Sequence, residues 1–425
     1  MKKIAIVDGV RTPFVKAWSA FDNIPAQQLG ALCVTELLKR TGLDSPLVDE
    51  VVMGCVGQPA EAANVARVIS LLAGLPHDKR ACTVSRNCAS GFEAITSAAE
   101  KIQCGVDEIV VAGGTESMSN MPMLFKKETA TLFLKLSKSK TFWKKLAILA
   151  HMRPGHFAPV SSLLLGLTDP VCGMNMGQTA ETLAKDFGIT REEQDRFALE
   201  SHRRATAARE KLRAETLDVF SPSGHPTRVR DDNGVREDQS FEALAKLKPL
   251  FKNGTITAGN ASQITDGACA LLLMSEEKAK AQDYEVLGTL GDYISVGLEP
   301  ARMGLGPVFA IEQLLRRNSM TLKDIDLFEI NEAFAAQVLA CLRALACPQF
   351  AQKHFPSGRP VGEIPADRLN VNGGAIALGH PVGTSGARLI LTCLKEMKRR
   401  GLRRGLVSAC VGGGQGTALI LERPS

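Results

Sequence analysis

Cys88 is the residue of this sequence whose setting points most directly to chemistry. It follows the polar turn at 85–87, and the small residues after it open a helical pattern that runs through Lys101. Unpaired N–H groups and the helix dipole favour an anion at a helix start, so we expect a lowered pKa for the Cys88 thiol and a nucleophilic thiolate. The alternative is a small buried hydrophobic residue, which is the usual role of a free cysteine.

Three further residues with reactive or polar side chains lie next to turns. His380 lies between a glycine and a proline, Asn331 directly follows an apolar strand, and Cys410 ends another strand before the glycines at 412–414. In open α/β sheets ligands bind at the carboxyl ends of strands, and all four residues fall at such ends. A histidine can serve as the base for a thiolate, a second thiol can carry a proton, and amide groups can stabilise an oxyanion.

Each of these residues also has a plainer interpretation. Cys410 could be a core cysteine, His380 a capped histidine, Asn331 the N-cap of a helix predicted over 331–344, and the glycines an ordinary turn. Four such residues at the ends of strands would rarely coincide by chance. We therefore favour one shared active site.

The elements that must position these residues alternate between strand and helix, as in layered α/β folds. Strands and helices up to a buried strand at 107–114 are followed, after a different middle region, by the same order at 286–414. Asp49 matches Asp326 at an offset of 277, and Val110 matches Val407 at an offset of 297. We predict two copies of one βαβ-rich unit.

Composition and charge limit the classes of function. The 425 residues suggest about two to three domains, and a net charge of +6 with only two Trp and two Tyr does not favour a nucleic-acid partner. The eleven cysteines contain no CxxC pair, so neither a metal site nor a disulfide framework is indicated. Free thiols indicate a reducing compartment. A strand that begins at Ile4 leaves no room for a signal peptide, so we predict a cytoplasmic protein.

The stretch 126–153 stands apart from both copies. It combines eight lysines and arginines with many Leu, Phe, Ile and Trp residues in a helical pattern. A solvated helical face packed on its own domain is one interpretation. Docking to a membrane surface or to another protein is the other, and both stay open at this point.

Six motifs, in order over nearly the whole chain, resemble those of the thiolases. They are Asn-Cys-Ala-Ser-Gly at 87–91, Gly-Gly-Thr-Glu-Ser-Met-Ser at 113–119, Gly-Asn-Ala-Ser at 259–262, Asn-Glu-Ala-Phe at 331–334, Gly-His-Pro at 379–381 and Cys-Val-Gly-Gly-Gly at 410–414. The resemblance implies an α/β fold with two βαβαβαββ halves in a five-layer αβαβα core and an inserted loop domain. We assign residues 1–122 and 250–277 to the N-terminal half, 123–249 to the loop domain with its coenzyme A (CoA) site, and 278–425 to the C-terminal half.

The same resemblance implies a role for each candidate residue. Cys88 would be the acylated nucleophile, His380 the residue that activates it, and Cys410 the acid and base. Asn331, through an ordered water, and His380 would form one oxyanion hole. The N–H groups of Cys88 and Gly412 would form the other.

Substrates and partners are implied in the same way. Ser262 and Met176 would contact CoA, and Phe334 would be a wall of the acyl pocket. CoA and acyl-CoA would be substrates, with no metal and no further cofactor. A homodimer or a dimer of dimers is expected, with a hydratase/dehydrogenase subunit or a membrane surface as a possible partner of 126–153.

The implied activity is thiolytic cleavage of a 3-oxoacyl-CoA through an acyl-Cys88 intermediate, as in fatty-acid β-oxidation. The 126–153 stretch and an insertion at 348–368 are similar to the thiolase subunit of fatty-acid oxidation complexes. A short-chain acetyl-CoA acetyltransferase that makes acetoacetyl-CoA is the alternative within the enzyme class. Cys410 argues against a 3-oxoacyl-carrier-protein synthase, and the three reactive residues together argue against a non-catalytic CoA-binding scaffold subunit.

Overall fold

The computed structural model describes residues 2–221 and 227–423. Its strands, in chain order, are Ile4–Arg11 (β1), Val15–Lys16 (β2), Glu50–Gly54 (β3), Arg80–Val84 (β4), Ile109–Ser117 (β5), Met123–Leu124 (β6), Val160–Ser161 (β7), Val219–Ser221 (β8), Thr227–Val229 (β9), Thr265–Ser275 (β10), Gly288–Gly297 (β11), Leu327–Ile330 (β12), Arg404–Val411 (β13) and Gln415–Glu422 (β14). Its α-helices are Ala26–Thr41 (α1), Val65–Leu72 (α2), Ser90–Gln103 (α3), Lys127–Lys138 (α4), Phe142–Ala150 (α5), Ser162–Gly166 (α6), Met176–Asp186 (α7), Arg191–Ala207 (α8), Arg209–Arg213 (α9), Phe241–Ala245 (α10), Glu276–Ala281 (α11), Gly306–Arg317 (α12), Ala335–Ala346 (α13), Pro348–His354 (α14), Ala375–Leu378 (α15) and Ser385–Arg400 (α16). Short 3-10 helices lie at Ser45–Leu47, Met118–Asn120, Pro154–Phe157, Pro300–Leu305 and Leu322–Asp324.

One mixed sheet runs through both halves in the order β4–β3–β5–β10–β1–β11–β14–β13–β12, with β2 beside β10. In the first half β3 is parallel to β4 and β5, whereas β10 is antiparallel to β5 and β1. In the second half β12 is parallel to β13, and on its other side Phe328 of β12 forms a single parallel bridge with Leu369. Strand β14 is antiparallel to β13 and β11. The two halves share one strand order, and an antiparallel β1–β11 pair joins them. The predicted repeat is confirmed.

Asp49 and Asp326 occupy equivalent places in the two halves, as predicted. The Oδ2 atom of Asp49 accepts hydrogen bonds from two consecutive N–H groups at the start of β5, at 2.7 and 2.9 Å. Oδ2 of Asp326 accepts the same pair at the start of β13, at 2.9 and 3.0 Å. The second predicted offset is wrong by two residues, because Gly405 rather than Val407 holds the place of Val110. A shift of two keeps every side chain on its face of the strand, so the apolar pattern could not fix it.

The core has the five layers αβαβα that were predicted. The outer face of the first half packs on α1 and α2, and the outer face of the second half packs on α12 and α13. Between the halves, α3 and α16 are buried against the inner faces of both. Strand β1 shows the alternation, because Ala5 and Val7 face the outer helices whereas Ile4 and Ile6 face the central ones.

The inserted region lies between β5 and β10 and contains the predicted loop domain 123–249. Its helices α7 and α8 pack on α13 of the second half. In contrast, α4 and α5 form a hairpin whose apolar side chains are largely exposed, with Trp143 76% exposed. Across residues 2–221 and 227–423, no helix combines the length and the apolar character needed to cross a membrane.

The helix predicted to begin at Asn331 begins four residues later, at Ala335. The intervening residues pair with another loop instead, since the Ser262 N–H donates to the Ala333 carbonyl at 2.9 Å. The Ala335 N–H donates to the Asn260 carbonyl, also at 2.9 Å. This tertiary pairing replaces the first helical turn, and the local sequence pattern carries no sign of it.

Candidate active site

The turn between β4 and α3 presents Cys88 two residues before the helix begins. Asn87 has a φ of 44°, a left-handed conformation that asparagine tolerates better than most residues. The Ser90 hydroxyl closes the turn, because it accepts a hydrogen bond from the Arg86 N–H at 2.8 Å and donates one to the Asn87 carbonyl at 2.7 Å. Cys88 is half-buried, so it can be reached by a substrate.

Two glycines bring the Cys88 turn against the His380 loop. The helices α3 and α16 touch at their first turns, where a Cβ on Gly91 would lie 2.7 Å from the α16 backbone and a Cβ on Gly386 would lie 2.6 Å from the α3 backbone. A side chain at either position would push the helices apart, so the close approach requires glycine. Because Cys88 precedes α3 and His380 precedes α16, this contact places their loops side by side.

The glycine turn after β13 is tied to the Cys88 turn. The Asn87 Nδ2 donates to the Gly412 carbonyl at 2.7 Å. Gly413 and Gly414 have φ values of 91° and 83°, which favour glycine and let the chain reverse into β14. The backbone N–H groups of Gly412 and of Cys88 itself lie near enough to the Cys88 sulfur to oppose the rise in the pKa of its thiol. An acyl group on this sulfur would therefore lie beside two N–H donors.

His380 is buried and held in one tautomer by its neighbours. Its Nδ1 lies 2.6 Å from the Ser385 hydroxyl, which donates its own hydrogen to the Pro381 carbonyl at 3.1 Å. The hydroxyl must therefore accept from Nδ1–H, and Nε2 carries the ring lone pair, which can accept a hydrogen bond. Asn331 Nδ2 lies 3.3 Å from Nε2. Burial, together with the positive charge of Arg388, lowers the pKa of His380 to about 4, so the imidazole is neutral at pH 7.

Asn331 lies fully buried behind His380 with one amide atom unused. Its Oδ1 has no hydrogen-bond partner among the residues that the structure describes. A buried amide oxygen of this kind is commonly satisfied by an ordered water. The geometry therefore fits the water that the resemblance places between Asn331 and the oxyanion.

Cys410 is a buried thiol near the half-buried Cys88. It lies at the end of β13 and packs against Met303 and Ala333. Burial raises the pKa of the Cys410 thiol well above its usual value, and the neighbouring Cys88 raises it further when charged. Cys410 is therefore a protonated thiol at rest, able to donate a proton.

The expected lowering of the pKa of the Cys88 thiol is wrong. Burial raises this pKa, and the N–H groups of Gly412 and Cys88 offset only part of the rise. The negative charge of Glu116 adds to it. Since the resting sulfur is a thiol, the nucleophile needs a base, and the unprotonated Nε2 of neutral His380 suits that role.

The residues predicted to contact substrate lie around the same place. Met176 and Phe334 pack in one cluster with Cys410. A Cβ on Gly412 would lie 3.3 Å from the Met176 sulfur. Ser262 follows Ala261, which forms a β-bridge with Phe334. The structure thus places Met176 and Phe334 beside Cys410, with Ser262 on the segment that pairs with Phe334.

A cavity of 130 Å³ opens at Cys88. Its wall is mostly apolar and comes from the β3–α2 loop, the inserted region and the His380 loop: Val56, Met118, Met121, Leu163, Leu167, Pro170, Met176 and Val382. Two wider surface depressions, near Lys395 and between α4 and α5, contain no cysteine. No group of three or more potential metal ligands occurs in the part of the chain described here.

Sequence reasoning missed three residues that hold the site. Ser385 fixes the tautomer of His380, and Asn87 joins two turns. Glu332 is buried and accepts from Ser201 Oγ at 2.7 Å and from Asn370 Nδ2 at 2.8 Å. Asn87 and Glu332 each lie next to a predicted site residue in the sequence, and this position is the feature that could have identified them. Nothing in the sequence pointed to Ser385.

Comparison with known proteins covers the whole chain. The sequence profile of the thiolase N-terminal domain matches residues 4–277, and that of the thiolase C-terminal domain matches residues 284–423. The 3-ketoacyl-CoA thiolase of Pseudoalteromonas translucida is 42% identical over 99% of this chain and 97% of its own. That of Serratia proteamaculans is also 42% identical, with the same coverage.

Solved structures give the same result. The acetyl-CoA acetyltransferase of Bacillus anthracis superposes with a TM-score of 0.87 and 37% identity, over 99% of both chains. Human mitochondrial 3-ketoacyl-CoA thiolase in complex with CoA gives 0.85 and 34%, over 100% of this chain and 98% of its own. The fold and these matches define an acyltransferase built on the five-layer α/β core. The chain belongs to the thiolase family, and the predicted family, fold and enzyme class are confirmed.

Proposed function

We propose that the protein is a 3-ketoacyl-CoA thiolase, which uses CoA to cleave a 3-oxoacyl-CoA into acetyl-CoA and a shortened acyl-CoA. The supporting observation is the arrangement of Cys88, His380 and Cys410. The Gly91–Gly386 contact joins the first two loops, and the bond from Asn87 joins the first to the end of the Cys410 strand. The site then holds an accessible thiol, a neutral imidazole and a buried thiol.

In the first half-reaction, Nε2 of His380 takes the proton of the Cys88 thiol, and the sulfur attacks the 3-keto carbon. The C2–C3 bond breaks and leaves the acyl group on Cys88. The electron pair of that bond remains on C2 of the departing acetyl-CoA as an enolate, which takes its proton from the Cys410 thiol. The CoA thioester carbonyl stabilises the enolate, so the reaction draws on no metal or redox cofactor.

In the second half-reaction, the Cys410 thiolate takes the proton of an incoming CoA thiol. The CoA sulfur attacks the acyl group, and Cys88 leaves and recovers its proton from His380. Both cysteines and the histidine end as they began. Run backwards with acetyl groups, the same steps form a carbon–carbon bond.

Two oxyanions develop during these steps, and each has candidate donors. The unpartnered Oδ1 of Asn331 supports an ordered water beside protonated His380 as one oxyanion hole. The N–H groups of Cys88 and Gly412 form the other, which is supported by their lowering effect on the pKa of the Cys88 thiol. Preorganised donors of this kind often supply the largest single contribution to catalysis.

A short-chain acetyl-CoA acetyltransferase is the second candidate function, because the Bacillus anthracis structure carries that name. The apolar wall of the cavity favours longer acyl chains, since each buried methylene contributes about 0.8 kcal/mol. We expect cleavage of acetoacetyl-CoA and also of C10–C16 substrates, with kcat/KM at least ten times higher for the longer chains, which is about the effect of two further methylenes buried against this wall. The assay follows CoA-dependent loss of 3-oxoacyl-CoA.

The chain-length series separates the remaining possibilities. Turnover of acetoacetyl-CoA alone would assign the short-chain enzyme. Tight CoA binding without turnover of any chain length would assign the non-catalytic scaffold and contradict the proposal.

The hairpin of α4 and α5, residues 126–153, is the part of the chain that we propose to dock on an anionic lipid surface. Phe142 and Trp143 are 70% and 76% exposed, and a groove of 850 Å³ between the helices is lined by lysines and apolar residues. No Asp or Glu occurs from residue 129 to residue 168. Glu128, at the start of α4, is the one carboxylate of the hairpin. Exposed aromatic residues among a large excess of lysines complement an anionic apolar surface.

Replacing Lys135, Lys138, Lys144 and Lys145 by Glu should remove this docking. Each lysine near an anionic membrane contributes about 1 kcal/mol, so the variant should lose binding to phosphatidylserine vesicles at low salt by at least a hundredfold. Cleavage of acetoacetyl-CoA should stay within about twofold of wild type, because none of the four residues reaches the cavity at Cys88.

The matched control changes four exposed lysines elsewhere to Glu: Lys2, Lys39, Lys323 and Lys353. It carries the same net charge and should keep vesicle binding. An equal loss of vesicle binding in both variants would show that binding depends on net charge alone, which would contradict the proposal. If the wild type does not bind vesicles but co-purifies with a hydratase/dehydrogenase through the hairpin, the hairpin binds a protein partner and the proposed lipid docking is contradicted.

The proposal also includes a homo-oligomeric state and a cytoplasmic location. Strand β4 ends the sheet order and pairs on one side only within the described chain, so its edge is open to a second copy in a homodimer or dimer of dimers. The eleven cysteines are free thiols, which supports a reducing compartment such as the cytoplasm.

A further inference from the structure

Glu116 is a buried carboxylate at the junction of the two halves. It lies in β5 with no exposed surface, and three backbone N–H groups donate to it. Oε1 accepts from Gly57 at 2.8 Å, and Oε2 accepts from Val56 at 3.1 Å and from Gly383 at 2.8 Å. The Cys55 thiol lies 3.8 Å from Oε1. None of the described residues forms a salt bridge with it.

The segments that Glu116 joins are two walls of the cavity at Cys88. Val56 lines the cavity from the first half, and Val382 lines it from the second. Gly383, which follows Val382, is three residues after His380. One side chain thus links the end of β3 to the loop that carries the imidazole.

A carboxylate suits this place because its ionised form only accepts hydrogen bonds, and its three N–H donors oppose the rise in the pKa of Glu116 that burial causes. A glutamine of the same shape would turn an NH₂ group toward at least one of the three N–H donors. The glycines are matched to the carboxylate, since a Cβ on Gly383 would lie 2.7 Å from Oε2 and one on Gly57 would lie 3.1 Å from Oε1. A buried carboxylate without a cation costs free energy, so its three donors are what stabilise it in this place.

We propose that Glu116 is a positioning residue for the proposed thiolase reaction, which fixes the His380 loop and the Val56 wall relative to Cys88 through three backbone hydrogen bonds. It touches no reacting atom. Its effect is on the geometry in which the imidazole meets the thiol. Displacement of a catalytic group by about 1 Å can lower a rate by about a hundredfold.

The test compares Glu116→Gln with Glu215→Gln. Glu215 is equally buried, but it binds Arg11 at 2.7 Å and Thr392 at 2.9 Å and lines no part of the cavity. We expect E116Q to lower kcat for acetoacetyl-CoA by ten- to a hundredfold while the KM for CoA stays within about twofold. E215Q should lower the melting temperature and leave kcat of the folded protein within about twofold.

Two measurements keep the proposal open to contradiction if E116Q does not fold. Glu116→Asp keeps the charge, but its shorter side chain moves the carboxylate away from the three N–H donors. It should therefore show the same fall in kcat. In the wild type, hydrogen exchange should find the amides of Val56, Gly57 and Gly383 as protected as those of β3.

The outcomes distinguish this proposal from the function on which it rests. A wild type without thiolase activity would contradict the proposed function. An active wild type with normal kcat in E116Q, equal loss of kcat in E116Q and E215Q, or unprotected amides would overturn the role of Glu116 alone.

Discussion

Cys88→Ser is expected to abolish thiolytic cleavage, with kcat lowered by at least 10⁴-fold. A serine hydroxyl is far less acidic than a thiol, and the neutral His380 could not supply an equally reactive nucleophile. No acyl-enzyme should form when the variant is mixed with acetyl-CoA, as judged by intact-protein mass. The fold should persist, because the substitution changes one atom in a half-buried turn.

Cys82→Ser is the matched control for this loss. Cys82 lies on β4, six residues before Cys88, and does not line the cavity. The control should retain activity within about twofold and should still gain the mass of one acetyl group. Cleavage by Cys88→Ser at more than a trace of the wild-type rate would show that another group is the nucleophile.

Cys410→Ala is expected to separate the two thiols. Without the buried thiol, acetyl transfer from acetyl-CoA to Cys88 should still occur, although more slowly, because the CoA sulfur can leave as a thiolate without the proton that Cys410 supplies. Exchange of the acetyl α-protons with solvent deuterium should fall by at least a hundredfold, since the group that we assign to protonating the enolate is gone. Nuclear magnetic resonance of acetyl-CoA in deuterated water measures this exchange.

Cys341→Ala provides a control from the same surroundings. Cys341 is fully buried, and its charge, like that of Cys88, would raise the pKa of the Cys410 thiol. Its thiol donates to the Gly304 carbonyl at 3.1 Å, so its loss should affect stability more than exchange. Normal exchange in Cys410→Ala would assign proton transfer to a group other than Cys410.

The fold could be predicted from the sequence because the repeat and the order of the motifs can be read directly along the chain. The offset between Asp49 and Asp326 was enough to find two equivalent units, since each aspartate caps the start of a neighbouring strand. The apolar alternation could not fix the register of the second offset, because a shift by two residues leaves the pattern unchanged. The contact between Gly91 and Gly386 joins residues almost 300 positions apart, and no local pattern encodes it.

The electrostatics of the site could be predicted less well. The position of Cys88 before a helix suggested a lowered pKa, yet burial outweighs the N–H donors and raises it. Burial depends on what the second half and the inserted region place over the sulfur, which the first ninety residues do not contain. The tautomer of His380 depends on Ser385, a residue that no motif marked.

The identity of the residue that carries the acyl group tests the proposed acyl-Cys88 mechanism most directly. Wild-type enzyme would be mixed with acetoacetyl-CoA without free CoA, quenched in acid, digested with pepsin and mapped by tandem mass spectrometry. We predict one acetyl group per chain, on Cys88, that free CoA removes before the quench. An acetyl group on Cys410 or Cys82, or none on any cysteine while turnover proceeds, would contradict it.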